Sequence, residues 1–263
     1  MAEITVRRMS FEFPEDLPVL ADASDVRGSC EVAGLSFTLP YLEPYLIRTM
    51  STAVKQVTDP VIAQDIRNFS AQEGNHFRNH ARINNVIRAK LRPETALEIK
   101  AIEADMDADY KRFTKTKSLK FNLAYAEGFE AMTLGLALAA FDRGFDCFEE
   151  NWAQLLEWHL VEEVEHRTVT FNAYEHLYGQ YFYRLAVGIW AQKHFLSYVS
   201  RFGRCVRQDF ADQDQGTYAG IATGLLRYYI KTLPPWYNPA KIEPSDEMKK
   251  QWDKYDALAA VGS

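Results

Sequence analysis

Residues 69–80 read FSAQEGNHFRNH, and residues 158–166 read WHLVEEVEH. Each stretch contains a glutamate followed three residues later by a histidine, which is His76 in the first and His166 in the second. On a helix, two residues spaced by three lie one turn apart on the same face. If both stretches are helical, each therefore presents a carboxylate and an imidazole side by side, in position to bind one metal ion.

The chain is predicted to be helical over most of its length, and no stretch has the pattern of a strand. Asp59-Pro60 places a capping residue before a proline at the first helical position, which is a strong start signal. Further helical stretches are predicted at 94–117, 180–211 and 217–232. The four long predicted helices are helix A, Pro40 to about Val57; helix B, Pro60 to about Ala89; helix C, about Leu119 to Phe141; and helix D, about Phe148 to Tyr178.

Each long helix has a stripe of positions, spaced alternately by four and three, that is apolar at both ends and ionisable in the middle. Burying an unpaired carboxylate costs several kcal/mol, and no lysine or arginine lies on any stripe. The stripes therefore predict a metal cluster in the core. Their ionisable members are Glu43 in A; Glu73, His76 and His80 in B; Glu127 and Glu130 in C; and His159, Glu163 and His166 in D.

This spacing matches the ligand plan of dinuclear bundles, in which two helices each give one glutamate and two others each give Glu-x-x-His. The single carboxylates would be Glu43 and Glu127. The two pairs would be Glu73 with His76 and Glu163 with His166. The predicted fold is therefore all-α, a ferritin-like four-helix bundle with extra C-terminal helices.

The whole chain is predicted to form one domain over residues 1–263. Within it, 1–38 is an irregular N-terminal arm. Residues 39–178 form the metal-binding four-helix core with a crossover. Residues 179–263 form the C-terminal helices and a Pro-rich tail.

Composition and charge exclude several classes of protein. The formal net charge is −6 and the lysines and arginines are scattered, so nucleic acid is not an expected partner. Cys30, Cys147 and Cys205 are too far apart for a CxxC pair, which favours a reduced intracellular protein. No signal peptide and no transmembrane segment is predicted. The expected location is the cytoplasm.

The two stretches quoted above resemble the signatures of a bacterial family described as predicted metal-dependent hydrolases. Residues 69–80 resemble its QE-x-x-H-x-x-x-H signature, and residues 158–166 resemble its WH-x-x-EE-x-EH signature. The opening VRRMSF and the closing Pro-rich stretch are similar too, so the resemblance spans most of the chain. One departure lies in helix C, where the family tends towards Glu-His-x-Thr and this chain has Glu127-Gly-Phe-Glu130.

A second resemblance concerns spacing alone. The pattern from His159 through Glu163 to His166 is similar to the extra-histidine pattern of the di-iron arylamine N-oxygenases. That resemblance implies His159 as a seventh ligand and a di-iron site that activates O2.

The leading prediction is a di-iron enzyme that activates O2 to oxidise or oxygenate a small, aromatic or fatty substrate. Carboxylates and imidazoles without thiolate favour two iron ions, with manganese as an alternative and zinc less favoured. The expected partners are a small-molecule substrate, O2 and an external electron donor, and the prediction leaves room for a homodimer. The first alternative is hydrolysis at a dinuclear site. The second is non-catalytic, ferritin-like metal binding.

The surroundings of the ligands are also predicted. If 94–117 is the crossover of the bundle, His80 and Glu130 lie on one side of the metal layer, as an extra ligand or as partners behind the ligands. Glu162 is expected behind a ligand or at the surface, and Glu165 on a solvated face. The substrate pocket is predicted on the opposite, apolar side, lined by Met50, Phe69, Leu123, Thr170 and Ala173.

Overall fold

A computed structural model describes residues 4–213 and 221–261. Within these ranges the chain is helical and has no strand, which confirms the predicted fold class. None of the described helices combines the length and the apolar character needed to cross a membrane. The helices are α1 (Val26–Ala53), α2 (Pro60–Arg88), α3 (Pro93–Thr116), α4 (Leu119–Arg143), α5 (Glu150–Glu165), α6 (Val169–Leu177), α7 (Tyr181–Arg207), α8 (Ile221–Tyr229) and α9 (Asp246–Val261).

Side-chain contacts give the direction of each core helix. Ser36, early in α1, contacts Asn84, late in α2, so these two helices are antiparallel. Tyr45, late in α1, donates to Asn122, early in α4, so α1 and α4 are also antiparallel. Therefore α2 and α4 run in the same direction. The helix between them, α3, lies along α1 and stacks Tyr110 on Tyr45, as the predicted crossover requires.

Helix α1 begins fourteen residues earlier than predicted, because Pro40 lies inside the helix and does not open it. The Asp25 carboxylate caps the first turn by accepting from the Gly28 N–H. A proline inside a helix leaves the carbonyl four residues earlier without its usual donor. Here that carbonyl belongs to Ser36, and it accepts from the Asn84 side-chain amide at 2.8 Å. The helix tolerates Pro40 because a neighbouring helix replaces the missing hydrogen bond.

Predicted helix D is divided into α5 and α6. The break follows the second Glu-x-x-His, with His166 as the C-cap of α5. The Arg167 guanidinium donates to the Val164 carbonyl at 2.6 Å and so satisfies one of the carbonyls left free at the end of α5. After the break, α6 packs directly against α2 and α4.

The N-terminal arm lies along α2 and is held by a row of amide side chains on that helix. These donate to backbone carbonyls of the arm: Asn68 to Ile4, Gln72 to Thr5, Asn75 to Arg7, and Asn79 to Met9. The amides recur at a spacing of four, three and four, so they share one face of α2. The irregular arm was predicted over residues 1–38, but α1 begins at Val26, so residues 26–38 are helical. The amide side chains fix the beginning of the arm to the helix that holds one Glu-x-x-His pair.

Helix α7 packs against α1 and α4 outside the four-helix core. Its closest approach to α4 is at Gly128 and Gly188, where a Cβ on Gly128 would lie 2.2 Å from the Gly188 Cα. Glycine is therefore required at position 128. The helical stretch predicted at 217–232 lies partly outside the described residues; its described part is α8 and a short 3₁₀ turn, Ile230–Thr232. The single-domain division of the chain stays a prediction.

Candidate metal centre

All nine ionisable residues of the predicted stripes are buried, with at most 6% of any of them exposed. The apolar residues one turn to either side on α2, such as Phe69 and Ile83, are fully buried as well. The seven residues whose ligand atoms lie close enough to share metal ions are Glu43, Glu73, His76, Glu130, His159, Glu163 and His166. Six of these were predicted as ligands, and the seventh, Glu130, was predicted as an extra ligand or a neighbour of one.

The seven residues form two poles. At the first pole, Glu43 lies with His76 and His159, and the Glu43 Oε1 is 3.7 Å from the His159 Nε2. At the second pole, the Glu130 Oε2 lies 3.2 Å from the His166 Nε2. Each pole therefore combines one carboxylate with at least one imidazole.

Glu163 and Glu73 lie between the poles. Glu163 has its Oε1 2.9 Å from the His159 Nε2 and its Oε2 3.2 Å from the His166 Nε2. The Glu73 Oε1 is 3.9 Å from the His76 Nδ1 and 3.5 Å from the His166 Nε2. The two Glu-x-x-His glutamates thus span both poles, and Glu43 and Glu130 each belong to one.

Glu127, which was predicted as a ligand, lies outside this cluster. Its Oε1 accepts from the Arg184 Nη1 at 2.7 Å, and both side chains are buried. The close crossing at Gly128 and Gly188 places Arg184, one turn before Gly188, against Glu127. The prediction counted cations only on the four stripes, and Arg184 comes from a fifth helix, α7.

The cluster has more buried acceptors than donors. Both oxygens of Glu43, Glu73 and Glu130, one oxygen of Glu163 and the facing nitrogens of His76 and His166 find no hydrogen-bond partner among the described residues. Leaving that many buried polar atoms unpaired costs free energy that a stable core would not sustain. Four carboxylates meet no lysine or arginine here, and two divalent cations would balance their charge. The residues present therefore fit a dinuclear metal site.

Two histidines of the cluster also make a polar contact through the ring nitrogen that faces away from it. The His76 Nε2 lies 2.9 Å from the Glu162 Oε2, and the His166 Nδ1 lies 3.1 Å from the Gln72 Oε1. Contacts of this kind fix which ring nitrogen has the lone pair that can bind a metal. The sequence left Glu162 either behind a ligand or at the surface, and the structure places it behind His76.

Arg7 pairs with two carboxylates behind the cluster and was missed by the sequence analysis. Its guanidinium contacts Glu162 at 3.2 Å and Glu165 at 2.8 Å. Glu165 was expected on a solvated face, but only 7% of it is exposed, because the arm covers α5 and brings Arg7 to it. The one signal available was the amide row on α2, which anchors the arm.

The protein groups of the cluster do not by themselves stabilise all of its carboxylates in the charged form. Burial, and then the neighbouring carboxylates, raise the pKa of Glu43 and of Glu73 well above the usual range of a glutamate. Burial and the Glu163 charge raise the pKa of Glu130 to about 7. Burial would act in the same direction on Glu163, but contact with His166 holds the pKa of Glu163 well below its usual value. Glu163 is therefore stabilised as a carboxylate. Glu43, Glu73 and Glu130 would need a further cation to be stabilised in that form.

Residues 5–243 match a family described as predicted metal-dependent hydrolases. The chain belongs to this family. The match confirms the resemblance seen in residues 69–80 and 158–166, and it agrees with the metal-binding geometry of the core. No curated protein and no solved structure matches the chain.

The cavities of this family member lie away from the predicted substrate pocket. Met50, Phe69, Leu123, Thr170 and Ala173 are all buried, and none lines any of three cavities formed by the described residues. The reason is that α6 packs directly against α2 and α4 and closes that side.

One cavity of about 470 Å³ lies between α1, α4, α7 and α8. Its walls are mainly apolar, and α4 contributes Thr133, one turn beyond Glu130. The α1 residues that line this cavity precede Glu43, and the α4 residues that line it follow Glu130. The cavity therefore lies on the same side of the metal layer as His80. The apolar members of the lining are Val32, Leu35, Met132, Leu136, Phe148, Phe195, Leu196, Val199, Leu225 and Leu226.

Proposed function

We propose that this chain is a metal-dependent hydrolase that activates water at a dinuclear centre in its helical core. The observation that supports it most directly is the set of unpaired buried carboxylate and imidazole atoms that converge on two poles. The family description favours hydrolysis over the O2 chemistry predicted from spacing. The proposed ligands are Glu43, Glu73, His76, Glu130, His159, Glu163 and His166.

Two divalent ions held by these residues would supply Lewis acidity and a nucleophilic water at neutral pH. The protein's own contribution is positioning. Glu73 and Glu163 contact histidines of both poles, so both carboxylates would be in position to help hold the two ions. His76 and His166 are fixed by Glu162 and Gln72, so their metal-binding nitrogens keep one orientation. The burial of every ligand excludes bulk water, which strengthens each electrostatic contact in the site.

The apolar cavity is the proposed space for the substrate. Its volume of about 470 Å³ lies within the range of small-molecule sites. The Thr133 hydroxyl donates to the Glu130 carbonyl at 3.1 Å, so one turn of α4 connects the cavity wall to the second pole. We therefore expect substrates with an apolar acyl or aryl group.

The test begins with metal content and anaerobic hydrolysis. Protein loaded separately with Zn²⁺, Mn²⁺ and Fe²⁺ is assayed without O2 on p-nitrophenyl esters of increasing chain length. We expect about two ions per chain and hydrolysis that rises with apolar chain length. Glu163→Gln should abolish both, whereas Glu98→Gln, on an exposed position of α3, should change neither. One ion or fewer per chain would overturn the dinuclear site.

The second candidate is the O2-activating di-iron enzyme, favoured by the donor set. Four carboxylates and three imidazoles without thiolate are the ligands that iron and manganese prefer in bundles of this type. This candidate requires an external electron donor. It predicts O2 consumption on adding Fe²⁺ to metal-free protein, and no metal-dependent ester hydrolysis under anaerobic conditions.

A further inference from the structure

We propose that Asn84, Ser36 and His80 form a hydrogen-bond chain that keeps the ring proton of His159 on Nδ1, so that its Nε2 is free to bind metal. Asn84, Ser36 and His80 are then positioning residues, and His80 is not a ligand. The inference rests on the proposed ligand role of His159. Each link rests on a close contact between buried polar atoms.

The chain begins at the proline inside α1. Pro40 leaves the Ser36 carbonyl without its helical donor, and the Asn84 Nδ2 donates to that carbonyl at 2.8 Å. Because the amide nitrogen points to the carbonyl, the other end of the same amide, Oδ1, is directed elsewhere. It lies 2.6 Å from the Ser36 Oγ. The backbone of α1 thus fixes which way the Asn84 amide faces.

The second link is the Ser36 hydroxyl. An amide oxygen can only accept, so the single hydroxyl proton of Ser36 must be donated to Asn84. The Ser36 Oγ is also 2.9 Å from the His80 Nδ1. With its proton committed to Asn84, Ser36 can only accept from His80, so His80 bears its proton on Nδ1.

The third link reaches the metal ligand. A neutral imidazole with a proton on Nδ1 has a lone pair on Nε2. The His80 Nε2 lies 2.8 Å from the His159 Nδ1 and therefore accepts from it. The His159 Nε2 faces the first pole, 3.7 Å from the Glu43 Oε1. It also lies 2.9 Å from the Glu163 Oε1, so both atoms are in position to hold the same metal ion.

All members of the chain are shielded from water, which would otherwise offer alternative donors. Ser36, His80 and Asn84 are each at most 2% exposed, and His159 is 6% exposed. In such surroundings every donor must be matched to an acceptor, so reversing one link reverses all of them. The reversed chain would place a second oxygen acceptor against the Asn84 Oδ1 and a fixed proton on the metal-binding nitrogen.

The first experiment observes the ring protons of the metal-free protein directly. Long-range ¹⁵N–¹H correlation spectra of ¹⁵N-histidine-labelled protein distinguish the two ring nitrogens of each of the six histidines, assigned by single His→Gln variants. We expect His80 protonated on Nδ1 and bare on Nε2, and His159 protonated on Nδ1. His80 protonated on Nε2, or His159 bare on Nδ1, overturns the proposal. The ring protons are read from the wild-type chain, and the variants only assign its signals.

The second experiment reverses the chain at a distance. Asn84→Leu removes the acceptor of the Ser36 hydroxyl, which can then donate to His80. We expect His80 to move its proton to Nε2, although the Asn84 side chain is hydrogen-bonded to Ser36 and not to either histidine. Zn²⁺ affinity measured by chelator competition should fall about 10–100-fold. Ser36→Ala should lower Zn²⁺ affinity similarly, and Ser36→Thr, which keeps the hydroxyl, should restore it.

The matched control is Thr38→Val, which removes a buried hydroxyl from α1 that donates only to the Leu35 carbonyl. It should leave the His80 proton and the Zn²⁺ affinity unchanged. Unchanged tautomers and affinity in both Asn84→Leu and Ser36→Ala overturn the proposal. Because the readouts are ring protons and Zn²⁺ binding, failure of ester hydrolysis would count against the proposed function alone.

Discussion

Glu127 and Glu130 lie one turn apart on α4, and both are at least 96% buried, yet their surroundings are opposite. Glu127 is paired with the Arg184 guanidinium at 2.7 Å. Neither oxygen of Glu130 has a hydrogen-bond partner among the described residues, and its nearest ring is that of His166. One carboxylate is already compensated by the protein, and the other needs a cation that the protein does not supply.

The difference shows how a metal ligand can be distinguished from a structural carboxylate when both are buried. Burial alone raises the free energy of both charges. What separates them is whether a cation from outside the bundle reaches the carboxylate. The Gly128 and Gly188 crossing brings Arg184 to one turn of α4 and not to the next.

The largest expected effect comes from neutralising each carboxylate in turn. Glu130→Gln should weaken metal binding at the second pole by more than about 100-fold, because a ligand is lost and not merely its support. Glu127→Gln should keep both ions and most of the activity, since its charge is balanced by Arg184. Elemental analysis and chelator competition measure both variants, with circular dichroism to check the fold. Metal loss in Glu127→Gln with full loading of Glu130→Gln would reverse the assignment.

Sequence spacing predicted the stripes, the helices and six of the seven clustered residues, because burial and ligand geometry both follow the helical repeat. It named Glu127 as a ligand and gave Glu130 a secondary role, because it could not detect the pairing of Glu127 with Arg184, 57 residues further along the chain. For the same reason it missed Arg7. The predicted start of α1 at Pro40 was wrong. Proline cannot donate to the Ser36 carbonyl, and the hydrogen bond is replaced by one from Asn84, which lies on another helix and could not be foreseen from the sequence.

The next largest expected effect is a loss of stability when Glu127 loses its cation. Arg184→Met should cost about 3–5 kcal/mol of unfolding free energy, because it leaves the buried Glu127 carboxylate without its cation. Metal content should stay near that of the wild type. Urea unfolding of the metal-free protein measures the loss. The double variant Glu127→Met with Arg184→Met should recover most of it; an equally unstable double variant would mean that packing, and not charge, explains the effect.

A smaller effect is expected at the helix crossing that positions Arg184. Gly128→Ala should cost about 1–3 kcal/mol, because its Cβ would lie 2.2 Å from the Gly188 Cα and the helices must separate. Gly188→Ala places its Cβ 3.2 Å from the Gly128 Cα. There the gain of about 1 kcal/mol in helix propensity offsets the tighter contact. Equal stability of the two variants, measured by thermal unfolding, would mean that the crossing does not hold α7 in place.

The smallest expected effect is the pH dependence of metal binding, and it separates the two carboxylates without removing either. Burial and the Glu163 charge raise the pKa of Glu130 to about 7 in the metal-free protein, so below that pH a metal ion must displace a proton to bind. Affinity should therefore fall as the pH falls, by at least about tenfold per pH unit below 7, or about 1.4 kcal/mol. Glu127→Gln should keep this slope, because the proton that Glu127 binds is not in competition with the metal. Chelator competition with Zn²⁺ from pH 8 to pH 6 gives the slope directly. A pH-independent affinity in the wild type would mean that metal binding displaces no proton from Glu130. A slope abolished by Glu127→Gln would place the displaced proton on Glu127 and return that residue to the metal centre.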